Sequence, residues 1–298
     1  MVARASITGP SSHRRPFSKA ESAPERPDLV AVGGSALKPI EKAQIRLIRR
    51  SFEPGRVDQA LRWGLRTIGA RWIDECTKNL RHLYGLERLP ALDPNRSFIC
   101  VSNHRSFFDL YVITAMLVRR GMPHRMMFPV RSHFFYDSPA GFLVNGIMSF
   151  FAMYPPVFRE RSRATLNLAG LDEVVWMARR GGAFIGLHPE GTRNKDGDPY
   201  ALLPAQSGVG RIIRHANVDV LPVFINGLTN DIVKQVSSNV RKKGDPIIAV
   251  FGKPVDFGDL LETNSSPRLY KKIADRALEA IGELGVEEKG IRAGLVEA

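Results

Sequence analysis

The chain has 298 residues, 44% hydrophobic and 24% charged, with 43 Lys and Arg against 30 Asp and Glu and a formal net charge of +13. That is enough for one large α/β unit with a sizeable core, and its surface draws anions such as nucleic acid, anionic lipid headgroups or phosphorylated substrates. Cys76 and Cys100 stand alone, which argues against a disulfide framework or a zinc site, and no run reaches the ~18 apolar residues of a spanning helix.

Residues 1–40, rich in Ser, Pro, Arg and Gly, read as a disordered basic arm that cannot bury enough surface to offset its ordering entropy. The first twenty hold Arg4, Arg14, Arg15 and Lys19 with no acid, a composition that also fits an organelle transit peptide. Residues 1–85 carry 16 basic residues against 8 acidic ones, so most of the excess charge lies at the front. Residues 41–88 read as an N-terminal amphipathic helical segment, with Leu61, Leu65, Ile68 and Trp72 on one face and Arg62, Arg66 and Arg71 elsewhere. Such a stripe suits packing on the protein's own core or a helix lying on a membrane surface.

Residues 89–298 read as one α/β domain. Strands are expected at 97–101, 183–187, 218–225 and 247–251, and helices at 107–120, 164–180, 206–216 and 267–284. The alternation predicts a mainly parallel sheet covered by helices on both faces and preceded by the N-terminal helical segment, with ligands bound outside the carboxyl ends of the strands.

Two clusters fall at such strand ends. In Asn103-His104-Arg105-Ser106-Phe107-Phe108-Asp109 the histidine and the aspartate are five apart, about 140° on a continuous helix, so they meet only if His104 precedes the helix and Asp109 lies in its first turn. An Asp bonded to one imidazole nitrogen fixes the tautomer and leaves the other nitrogen free to take a proton from a hydroxyl. The same spacing also makes Ser106 and Asp109 a capping box. In His188-Pro189-Glu190-Gly191-Thr192-Arg193 a carboxylate, a glycine, a hydroxyl and a guanidinium share one turn, fit either for an anionic substrate or for a plain surface turn.

The first cluster resembles the first motif of the glycerophospholipid acyltransferases, and residues 189–193 resemble their third. Val220-Leu221-Pro222-Val223 is similar to the fourth. The resemblance runs from about residue 97 to residue 225. It implies acyl transfer from acyl-CoA or acyl carrier protein to a hydroxyl of a glycerolipid such as lysophosphatidate, with His104 as base and Asp109 as its partner. It also implies Glu190, Gly191, Thr192 and Arg193 as acceptor-binding residues, and no metal or bound cofactor. The second motif departs from the family pattern, leaving Arg159 or Arg161 as the phosphate contact. Where the family commonly carries Phe-Lys, this chain has Ala205-Gln206; Gln206 can bond a headgroup but brings no charge, which opens the way to other lyso-lipid acceptors. His188 replaces the aromatic residue usual before the third motif. The resemblance further implies a cytoplasmic enzyme, peripheral on the inner membrane face and held by anionic lipids, with a non-catalytic lipid-binding relative as the alternative.

Rival readings lack their signatures. Nucleic-acid binding would interleave basic and aromatic residues along a continuous face, which this chain does not do. No Gly-x-Ser-x-Gly elbow supports an α/β-hydrolase, and Gly208-Val209-Gly210 leads to Ile213 where a dinucleotide loop needs its third glycine.

Overall fold

The computed structural model describes residues 25–296. The apolar runs at Phe98–Ser102 (β2), Ala183–Leu187 (β5), Asp219–Asn226 (β6) and Ile247–Phe251 (β7) form the strands expected of them, and β2, β5 and β7 are buried along their whole length. Three further strands, Arg81–Tyr84 (β1), Arg125–Arg131 (β3) and Met153–Val157 (β4), complete a seven-stranded sheet in the order β1-β7-β6-β2-β5-β3-β4. Every pairing is parallel except β6 with β7. The carboxyl ends of β2, β5 and β6 therefore emerge side by side at one edge, where an open parallel sheet binds its ligands.

Helices cover both faces. Ala164–Arg180 (α8), Ser207–Ala216 (α9) and Pro267–Val296 (α11) pack together on one, α8 meeting β4 and β5 and α11 meeting β6 and β7. Ala70–Thr77 (α4), Asp109–Arg119 (α5) and Ile232–Arg241 (α10) pack together on the other. A broken turn, Ser132–Phe135 (α6), comes after β3, and Pro139–Ser149 (α7) starts behind the Ser138 cap.

The N-terminal part differs from expectation in two respects. Residues 1–24 of the expected arm lie outside the described residues, but residues 25–40 are structured: Leu29–Gly33 (α1) is capped by Asp28, and Leu29, Val30 and Leu37 are buried. Arg26 explains why this stretch is held, since its guanidinium makes bonds of 2.7–3.2 Å to Glu173, a carboxylate buried in α8. Residues 41–88, expected to be helical, contribute Pro39–Ser51 (α2) and Arg56–Gly64 (α3) but end in strand β1. Ile45, Ile48, Leu65 and Ile73 join the same buried cluster as the sheet.

The amphipathic stripe is also rephased. α3 and α4 run as one continuous helix through a π-helical turn at Leu65–Gly69, and the extra residue in that turn rotates α4 relative to α3. Leu65, Ala70 and Ile73 point inward while Trp63 and Ile68 are exposed. Phe150, just after α7, fills the notch left by Gly64 and Gly69, where added Cβ atoms would come within 2.6 and 2.8 Å of its ring. That contact seats α7, with its exposed Leu143 and Ile147, against the helix bearing Trp63 and Ile68.

Candidate active site

At the end of β2 the backbone leaves the sheet, and a side chain continues the ladder in its place. The Asn103 carboxamide accepts from the Ile225 N–H and donates to the Ile225 carbonyl, both at 2.9 Å, while fully buried. The next residue, His104, precedes α5, and Asp109 is the first residue of that helix. His104 Nδ1 lies 3.3 Å from Asp109 Oδ2, which also accepts the N–H groups of Arg105 and Ser106 at 2.8 Å. Asp109 thus braces the turn before the helix and faces the imidazole with the same oxygen, whereas the expected Ser106–Asp109 capping box does not form: Phe108 is the N-cap, and Ser106 Oγ accepts the Phe108 N–H instead.

Asp109 is 1% exposed and His104 20%. Burial pushes Asp109 up to about 6, against the pull of His188 and the two N–H donors. Burial, aided by the nearby Arg193 guanidinium, pushes His104 down to about 4. At neutral pH the pair is thus a carboxylate facing a neutral imidazole. With Nδ1–H donated to Asp109, Nε2 carries the free lone pair.

His188, at the end of the neighbouring β5, stacks on His104 with ring centroids 3.8 Å apart and planes 7° from parallel. Its Nδ1 sits 3.1 Å from the Ser102 carbonyl, which anchors the ring to β2. Burial and the adjacent His104 push its pKa down to about 3, so it too is neutral at physiological pH. The sequence marked His188 only as a replacement for the usual aromatic residue; the signal for its place here was a second imidazole at a predicted strand end. His104, Asp109 and His188 have ligand atoms within 4.8 Å of one another. Stacked parallel rings, however, aim their in-plane lone pairs side by side and not at one ion, so the geometry suits proton transfer better than metal ligation.

The third motif locks the first in place. Glu190, expected to meet a substrate, is instead buried, with Oε1 accepting the His104 N–H at 2.7 Å and Oε2 the Leu203 N–H at 2.8 Å. The His104 carbonyl accepts the Asn194 N–H at 2.8 Å. Gly191 takes φ +66°, and an added Cβ would lie 2.7 Å from Gln206 Cγ, so only glycine lets the turn approach that side chain. Thr192, Arg193 and Gln206 are exposed, and Arg193 donates to Asn230 Oδ1 at 3.0 Å. Asn230, which the sequence did not mark, also accepts the Phe107 N–H at 2.9 Å. Arg159 and Arg161 are exposed beyond β4. The strand they follow, β4, is three positions from β2 in the sheet, about 14 Å at the usual strand spacing.

A histidine and a carboxylate at a strand-to-helix junction, clamped by a second loop from the adjacent parallel strand, form an arrangement chemically suited to proton transfer. An acyltransferase family model matches residues 80–226. A chloroplastic 1-acyl-sn-glycerol-3-phosphate acyltransferase of Brassica napus is 27% identical over 173 residues, 58% of this chain and 44% of that protein. The human 1-acyl-sn-glycerol-3-phosphate acyltransferase beta is 28% identical over 178 residues, 57% of this chain and 58% of that one. The matched segment thus spans about half the length of these relatives. The crystal structure of the 1-acyl-sn-glycerophosphate acyltransferase PlsC of Thermotoga maritima shares the fold, with a TM-score of 0.50 at 22% identity over 82% of this chain and 86% of that one. Residues 80–226 belong to the acyltransferase family, and the relatives this segment resembles are glycerophospholipid acyltransferases.

Proposed function

We propose that the protein transfers a fatty acyl group from a thioester, acyl-CoA or acyl carrier protein, to a hydroxyl of a glycerolipid such as lysophosphatidate. The observation that carries this reading is the oriented pair, a neutral His104 with Nδ1 on a buried Asp109 and Nε2 free. Nε2 takes the acceptor's hydroxyl proton as its oxygen attacks the thioester carbonyl; the C–O bond forms, the C–S bond breaks, and the imidazolium returns its proton to the departing thiolate. Asp109 stabilises the imidazolium in between.

The first motif's own backbone does not supply an oxyanion hole. The N–H groups of His104 through Phe108 are all bonded, to Glu190, Asp109, Asn230 and Ser106 Oγ. Stabilisation of the tetrahedral oxyanion falls to Arg193, whose charge already acts on His104.

A lipid acceptor lives in the bilayer, and the enzyme must reach it there. No helix among the described residues is long and apolar enough to cross a membrane. The exposed Trp63, Ile68, Leu143 and Ile147 with Arg66 and Arg71 beside them form an apolar ridge with a basic flank, suited to docking on anionic lipid. From Phe107 an aromatic line leads away from His104 through Phe135 at 6.1 Å and on to the half-exposed Phe134 at 5.1 Å, a path that suits an acyl chain. Arg159 and Arg161 lie at the same sheet edge, and either suits a headgroup phosphate.

The test is thiol release from a panel of acyl-CoAs and acyl carrier proteins, with lysophosphatidate, glycerol 3-phosphate and uncharged lyso-lipids as acceptors. Acceptor-dependent release is expected and names the headgroup. Release with no pair, alongside lipid binding, would overturn the transferase reading in favour of a lipid-binding one.

A further inference from the structure

A second feature opens beside the His104–Asp109 pair. A cleft of about 770 Å³ is walled by the loop after β5, the β6–α10 loop and the start of α10, and it reaches in to Asp109. Its cations are Arg105, Arg193, Lys195 and Lys234; its acids are the buried Asp109, already committed to two N–H groups, and Asp245. Arg105 holds the wall, donating to the Asp196 and Asp198 carbonyls at 2.6 and 3.2 Å. Lys195 and Lys234 are exposed, and among the described residues neither pairs with a carboxylate. Two like charges held without partners across a concave wall favour a multiply charged anion.

The location separates this cleft from the lipid. Leu80, just after α4, lines it, and Asn239 on α10 ties that end of α4 through bonds to Asn79 and Glu75. Trp63 lies toward the other end of the same continuous helix, and Trp63 to Thr77 spans about 21 Å at 1.5 Å per residue. An acceptor's headgroup is tethered to the membrane by its chain. A thioester carrier is not: its phosphates sit at the end of a long pantetheine arm and approach from water.

We propose, building on the transferase reading above, that this cleft seats the phosphate-bearing handle of the pantetheine-linked acyl donor, with Lys195 and Lys234 as its contacts. The handle then enters from the β6–β7 half of the site and the acceptor from the β3–β4 half, so that thioester and hydroxyl meet at His104 Nε2.

The experiment titrates the full chain with coenzyme A, which reports binding without turnover, for the unaltered protein, Lys195→Gln, Lys234→Gln, the double variant and the double Lys→Arg variant. Thermal unfolding of each checks that these exposed substitutions leave the fold intact. The double Gln variant should bind coenzyme A about tenfold more weakly, as loss of charge-assisted contacts implies, and Arg should restore binding. Holo and apo acyl carrier protein form a second arm: a Lys-dependent preference for the holo form alone assigns the cleft to the carrier protein's phosphodiester. Lys-independent binding of both donors overturns the proposal, as does a raised lysophosphatidate KM with donor binding unchanged, which would give the cleft to the acceptor. Absence of turnover with Lys-dependent coenzyme A binding would sink the transferase reading and leave the cleft assignment standing.

Discussion

Replacing Asp109 by Asn should inactivate the enzyme and stabilise the fold, because the structure asks one carboxylate to be ionised where burial disfavours it. Asp109 is 1% exposed, and its pKa is raised from 3.8 to about 6. A group raised in the folded state contributes stability that is fully present below pH 3.8 and is lost as pH rises through 6. At pH 7.5 the loss is about two pK units, or about 3 kcal/mol at about 1.36 kcal/mol per unit, and at pH 5 about half of that. Asparagine does not ionise, yet its amide oxygen can accept the Arg105 and Ser106 N–H groups that now converge on Oδ2. The stability of Asp109→Asn relative to the unaltered protein should therefore grow by about 1.5 kcal/mol between pH 5 and pH 7.5, whatever constant offset the new amide group adds. Urea unfolding of both proteins at the two pH values measures it. Turnover should fall by about 10³ to 10⁴, since an amide neither fixes the Nδ1–H tautomer nor stabilises an imidazolium. A pH-independent stability difference, or a variant that turns over normally, would refute the reasoning.

The same geometry has consequences for pH dependence and for two neighbouring residues. The acid limb of kcat/KM should fall between about 4 and 6, the values to which burial moves His104 and Asp109, below the 6.5 of an ordinary histidine, with a plateau through pH 7–8; a limb at 6.5 or above would contradict the buried pair. His188→Phe keeps a ring under His104 and should hold kcat within about threefold, whereas His188→Ala should lower kcat about tenfold with little change in acceptor KM; equal rates in the two variants would remove His188 from the positioning of the base. Gly191→Ala should cost about 1–3 kcal/mol in thermal or urea unfolding, from its positive φ and the Gln206 contact. Adding Gln206→Ala should recover only the contact's share, and full recovery would mean that the backbone conformation carries no strain.

The parts of this fold that could be read along the chain are those whose pattern is local. β5 and β7 are unbroken apolar runs, and α8 begins and ends as its periodicity indicates. β3 and β4 hid for identifiable reasons. β3 opens on Arg125, a charge that signals surface, yet Arg125 is buried with its guanidinium 4.6 Å over the Phe52 ring and 3.4 Å from Asp58. β4 contains Pro155 and Pro156, which read as a break and are tolerated because β4 is the edge strand. β1 is four half-buried residues that gain their strand character only from β7, over 160 positions away. The π-turn that rotates Ile68 outward leaves no mark in a 3.6-residue period.

The site divides in the same way. The contact between His104 and Asp109 was legible because both lie in one seven-residue stretch at a strand end. Glu190's true partners, the N–H groups of His104 and Leu203, and Asn103's bonds to Ile225 depend on strand order, which no spacing in the chain encodes. A carboxylate beside an arginine reads as a ligand contact until the loops around it are placed.

The most direct test of the account is acceptor-dependent thiol release by His104→Ala set against the unaltered protein, with urea unfolding confirming that both are folded. The account predicts that release falls by at least the 10²- to 10⁴-fold expected for losing a general base, while coenzyme A binding persists. Release at the unaltered rate from a folded His104→Ala would contradict it, because the acceptor's hydroxyl proton would then be leaving by a route that does not need the imidazole.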